Sequence, residues 1–139
     1  MANEQYAFLL RADVPTRAQW QAVIDAAGVD FQLDPELKPM EDSGFSPCRL
    51  LGSAAGFEIY YDDSPDFLEE FADIAQGRDC CLSFRWGGSI VEGASAMIAS
   101  YALAKGFGAI VSYEGEAPES LEALHAGAIE MLEAAKADS

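Results

Sequence analysis

The densest run of side chains able to do chemistry lies between Asp62 and Asp73. Asp62 and Asp63 precede a stretch on which Asp66, Glu69, Glu70 and Asp73 recur at i, i+3, i+4 and i+7, opposite Phe67, Phe71 and Ile74. A helix there gathers six carboxylates on one surface. Asp66, Glu69 and Glu70 complement the positive end of the helix dipole, whereas Asp73 lies too far along to do so. Such a surface is either a solvated helix face or a docking surface, where like charges steer a basic partner and exclude wrong ones. Metal binding is not expected, because EF-hand spacing and a glycine-centred loop are both missing.

A second group is Arg85-Trp86-Gly87-Gly88-Ser89 with Glu92. A glycine pair ahead of a helix can hold an anion. Here no Gly-Lys-Ser/Thr ending and no GxGxxG follows, and Glu92 competes for the same terminus. Ser89 and Glu92 are the two ends of a capping box, which accounts for both residues. Arg85 and Trp86, at a strand end, are of types enriched at interface hot spots and form a candidate anchor for a partner. His125, the single histidine, sits beside an apolar helical stripe with no nucleophile pattern around it. No HExxH, CxxC, GxSxG or Walker pattern occurs, so neither catalysis nor a cofactor is expected.

The elements that position these residues follow from hydrophobic period and punctuation. Cys80–Trp86 reads as an apolar strand, Ser89 to Gly106 as a helix apolar on most of its circumference, and Gly108–Tyr113 as a second strand. Lys105 and Gly106 close the helix, and the flanking strands run parallel through a right-handed crossover. Upstream, Tyr6–Arg11 is a strand, Thr16 and Gln19 cap a helix ended by Gly28, and Val29–Leu33 is a strand. Pro35 to Pro47 reads as the longest loop, with Cys48 alone beyond it. Gly56–Tyr61 is a strand, Ser64-Pro65 opens a helix ended by Gly77, and Pro118 opens the last helix, with Leu121, Leu124, Ala128 and Leu132 buried. The expected class is α+β: a ferredoxin-like βαββαβ core extended by a further α-β-α, one sheet packed against helices, in a single domain over residues 1–139.

Charge bounds the partners. With 24 acidic against 8 basic residues, the formal net charge is −16. Nucleic acid and anionic membrane surfaces repel such a chain, and basic proteins attract it. Its three cysteines do not make a disulfide framework, since Cys80 and Cys81 point to opposite faces of one strand. Reduced thiols, no secretory signal and no membrane-length apolar run are the expectation for a cytoplasmic protein.

At Gly52-Ser-Ala-Ala-Gly56-Phe57-Glu58-Ile59-Tyr60 and Phe84-Arg85-Trp86-Gly87-Gly88, with Glu92 following, the chain resembles small bacterial immunity proteins encoded beside secreted toxins. The resemblance runs from about Gly44 to Tyr113 and implies no catalytic residue. It implies a cytoplasmic protein that inhibits one cognate toxin by covering its active site. The alternative is a small-molecule-binding or regulatory ferredoxin-like module, able to form a homodimer through its sheet. That alternative predicts an apolar pocket lined by Tyr60, Trp86 or Tyr101, whereas the inhibitor predicts a convex acidic surface without one.

Overall fold

A computed structural model describes residues 3–137. Its strands are β1 (Asn3–Leu9), β2 (Phe31–Leu33), β3 (Gly44–Leu50), β4 (Ser53–Asp62), β5 (Cys80–Trp86) and β6 (Ile110–Tyr113). Its helices are α1 (Arg17–Ala26), α2 (Pro65–Glu70), α3 (Ala72–Ala75), α4 (Ile90–Phe107) and α5 (Leu121–Ala137). The strands form one sheet in the order β2-β3-β4-β5-β1-β6, every neighbouring pair antiparallel.

The α+β class holds, but the strand order is not a simple ferredoxin arrangement. There the third strand of the βαββαβ core would pair with the first. Here the 56–61 segment in β4 pairs with β3 and β5, and β1 lies between β5 and β6. Because β1 is antiparallel to both, β5 and β6 run parallel with β1 between them, joined by α4.

The extra strand explains the difference. Residues 44–50, read as loop and its margin, pair with β4, and Cys48 is a buried strand residue. Ser46, Cys48 and Leu50 face the core while Phe45, Pro47 and Arg49 face out. Pro47 is tolerated because β2 reaches only Cys48–Leu50, so the first half of β3 is a sheet edge. Leu51 and Gly52, both at positive φ, make the two-residue turn into β4.

Helix α4 packs on the inner face of the sheet, with α1 against α4 and β2, and α5 against α4. Trp20 of α1 donates its indole N–H to the Ala99 carbonyl (3.0 Å) and meets Phe84 edge-on. Helix α4 is buried along its length, and Ser95 and Ser100 turn their hydroxyls onto the carbonyls four residues back, each at 2.8 Å. Gly106 does not end α4. A Cβ there would meet Val23 Cγ2 at 2.7 Å, so the glycine permits close contact with α1, and Gly108 (φ 73°) takes the left-handed cap. Thr16 and Gln19 exchange both capping-box bonds. Ser89 accepts from the Glu92 N–H, but the Glu92 carboxylate returns no bond. Helix α5 starts after Ser120, whose hydroxyl accepts from the Ala123 N–H, rather than at Pro118, and Leu121 is exposed. Among the described residues no helix is long and apolar enough to cross a membrane.

Candidate functional site

Two surfaces, on opposite faces of the sheet, gather the chemically competent side chains. The outer one is built on aromatic packing. Tyr6 and Phe8 of β1 face outward and are covered by Phe67 and Phe71, with ring centroids 5.1 Å apart for Tyr6–Phe71 and 5.0 Å for Phe67–Phe71. The expected single helix over 65–76 is broken: Phe71 leaves helical geometry (φ −109°, ψ 22°), ending α2 at Glu70 before α3 begins. Both phenylalanines pack against the sheet across this break.

The carboxylates divide by role. Asp62 accepts from the Ser64 N–H at 2.8 Å, an Asx turn that starts α2. Asp63 pairs with Arg11 at 3.3 Å and accepts from the Tyr61 hydroxyl. Asp66, Glu69, Glu70 and Asp73 are exposed and take part in no ion pair among the described residues. Arg85 shares this outer side, between Glu58 and Glu4 on the neighbouring strands, with Nε 3.8 Å from Glu4. The Tyr60 hydroxyl donates to Glu58, which raises the Tyr60 pKa.

The sequence reasoning missed Phe45 on this side. It is 64% exposed on the half of the sheet that no helix covers, its ring lying where a Cβ on Gly56 would be. The signal was the alternation of Phe45 with Ser46, Cys48 and Leu50, obscured by Pro47.

Trp86 is not beside Arg85. Successive strand residues alternate, so Trp86 turns to the inner face, 8% exposed, its indole against Gly93 of α4. There it lines a solvent-open cavity of about 570 Å³ between the β1/β5/β6 end of the sheet, α4 and α5. Gln5, Met97, Tyr113 and Met131 also line it, and Glu116, Glu119 and Glu130 contribute carboxylates. At one edge the Tyr113 hydroxyl donates to Asn3 Oδ1 (2.7 Å), and Asn3 donates to the Gly87 carbonyl (3.0 Å). Gln5 is fully buried and neither atom of its amide has a hydrogen-bond partner among the described residues.

Tyr101 lines a separate groove of about 500 Å³ between α1 and α4, and Tyr60 lies on the open sheet. His125 is exposed, its ring 5.1 Å from that of Tyr101. Cys48, Cys80 and Cys81 are buried free thiols whose pKa values burial pushes up to about 11, 11 and 12, which keeps them protonated and poorly nucleophilic. Among the described residues no three His, Cys, Asp or Glu side chains converge on a metal site. Comparison with protein-family models, with curated proteins and with solved structures gave no match.

Proposed function

We propose that the chain is a non-catalytic binding protein of the immunity type, which docks a basic partner on the outer acidic surface and inhibits it in the cytoplasm. The observation that carries this reading is the set of four exposed carboxylates on α2 and α3, Asp66, Glu69, Glu70 and Asp73, held on an aromatic platform and in no ion pair among the described residues. Unpaired like charges on a firm base raise the encounter rate with a basic protein, and that gain falls with ionic strength. Asp62 and Asp63 flank the surface, and Arg85 with Phe45 extends it across the open sheet.

The test is capture from the native organism with tagged protein, washed at low and then high salt. A stoichiometric basic partner released at high salt, and not captured by the Asp66→Lys/Glu69→Lys/Glu70→Lys/Asp73→Lys variant, supports the reading. Equal capture by the folded variant removes α2–α3 as the docking site.

A second reading, the small-molecule-binding module, is favoured by one observation: the cavity lined by Trp86, which that reading predicts and the inhibitor reading does not. The two readings use opposite faces of the sheet and are tested separately.

A further inference from the structure

A glutamine amide offers two donors and an acceptor, and folded proteins rarely leave such a group buried without partners. This chain buries two glutamines with opposite outcomes. Gln21 donates to the Phe31 carbonyl (2.7 Å) and accepts from the Leu33 N–H (2.9 Å), completing the free edge of β2. Gln5 is even more deeply enclosed and has neither partner among the described residues. It stands in the wall of the 570 Å³ cavity, a size within the range of roughly 300–1,000 Å³ typical of small-molecule sites.

The rest of the wall restricts what fits. Among the described residues its charged groups are Glu116, Glu119 and Glu130, with no lysine, arginine or histidine, so anions are disfavoured. Trp86 and Tyr113, with ring centroids 6.4 Å apart, supply aromatic surface. The Trp86 indole N–H donates to no acceptor among the described residues and is a second free donor. Met97 and Met131 are unbranched, polarisable and able to repack around an irregular guest. They lie over Gly127 and Gly93, where a Cβ would approach their terminal methyls to 3.1 and 2.8 Å.

We propose that this cavity binds a small planar heterocycle that carries a hydrogen-bond donor beside an acceptor and no negative charge, its amide-like edge paired with Gln5. The proposal rests on the small-molecule reading and names the ligand class. The Gln5 amide is closed off from water, so the ligand reaches it by displacing part of the wall, in which Met97 and Met131 are the unbranched side chains best able to repack.

The test is ¹H–¹⁵N NMR of the full chain, following the Gln5 side-chain NH2 and the Trp86 indole N–H during titration with nicotinamide, cytosine, benzoate and toluene. Saturable shifts of both groups with nicotinamide or cytosine but not benzoate, and affinity at least about tenfold weaker in Gln5→Leu, are expected. Contacts between probe protons and the Gln5 amide, seen as NOEs in the wild type, make the result independent of how the variant folds. Benzoate or toluene binding in place of the heterocycles overturns the ligand class and leaves the small-molecule reading standing. Undiminished affinity in a folded Gln5→Leu variant overturns the role of Gln5. If no probe moves either resonance, the proposal and the reading beneath it both fail.

Discussion

The same substitution, glutamine to leucine, should have opposite effects at the two buried glutamines. At Gln5 it removes an amide whose two polar atoms are out of water and have no partner among the described residues. The penalty for such a group is about 1–3 kcal/mol, so Gln5→Leu should stabilise the fold by about that amount. At Gln21 it deletes two buried hydrogen bonds, of 2.7 and 2.9 Å, and leaves the Phe31 carbonyl and the Leu33 N–H unpaired on an edge strand. That should cost about 2–4 kcal/mol. For a chain of this length each kcal/mol moves Tm by about 3–5 °C, so the variants should melt on either side of the wild type, well separated. Urea unfolding followed by circular dichroism, with unchanged m-values, is the assay. If Gln5→Leu is destabilised by more than about 1 kcal/mol, the Gln5 amide is satisfied in solution and the reasoning from its isolation is wrong.

Three further outcomes can be checked by the same denaturation assay. Burial holds the Cys81 thiol neutral, raising its pKa from 9.0 to about 12, and raises Cys48 and Cys80 to about 11. The neutral thiols therefore contribute their full stability below pH 9, and that contribution is lost as pH rises through 11 and 12. Cys81 accounts for on the order of 4 kcal/mol of this, so Cys81→Ala should flatten the alkaline limb; an unchanged limb would count against burial as the cause. Gly106→Ala gains about 1 kcal/mol in helix propensity but drives a Cβ to 2.7 Å from Val23 Cγ2. Overpacking at about 1–3 kcal/mol wins, and the sign should reverse in a Val23→Ala background. Thr16→Ala, which breaks the reciprocal cap with Gln19, should cost about 1 kcal/mol and leave nicotinamide binding unchanged.

Much of the fold was legible because period and punctuation agreed. The apolar circumference of 90–103 announced a buried helix, and α4 is one. Phe57, Ile59 and Tyr61 alternated with Glu58 and Tyr60, and β4 divides them between its faces as that pattern requires. Where local signals conflicted, tertiary pairing decided. Pro47 argued against a strand, yet the shortness of β2 left its half of β3 unpaired on one side, so the missing N–H cost no ladder bond. The period over 65–76 argued for one helix, but Phe71 leaves helical geometry and divides it, while Phe67 and Phe71 both still pack on Tyr6 and Phe8. Strand order was beyond reach, since insertion of β1 between β5 and β6 depends on pairings 70 or more residues apart in the chain.

The candidate sites were legible by type more than by place. The carboxylates of 62–73 could be found by counting, and the structure separates Asp62 and Asp63, which have structural partners, from the four that form no ion pair among the described residues. Arg85 and Trp86 were read together from adjacency, although a strand necessarily sends them to opposite faces. Gln5 carried a usable signal that was not followed. Extended backwards by one strand period, the alternation that places Ala7 and Leu9 on the core face places Gln5 there as well. A polar residue on an apolar face asks where its hydrogen bonds go. For Gln21 a neighbouring edge strand supplies them. For Gln5 none of the described residues does, and the burial therefore has to be tolerated at a cost or matched by something that enters the cavity. Stability measured on Gln5→Leu distinguishes a costly amide from a satisfied one, and binding measured on the same variant shows whether the amide is kept for a ligand.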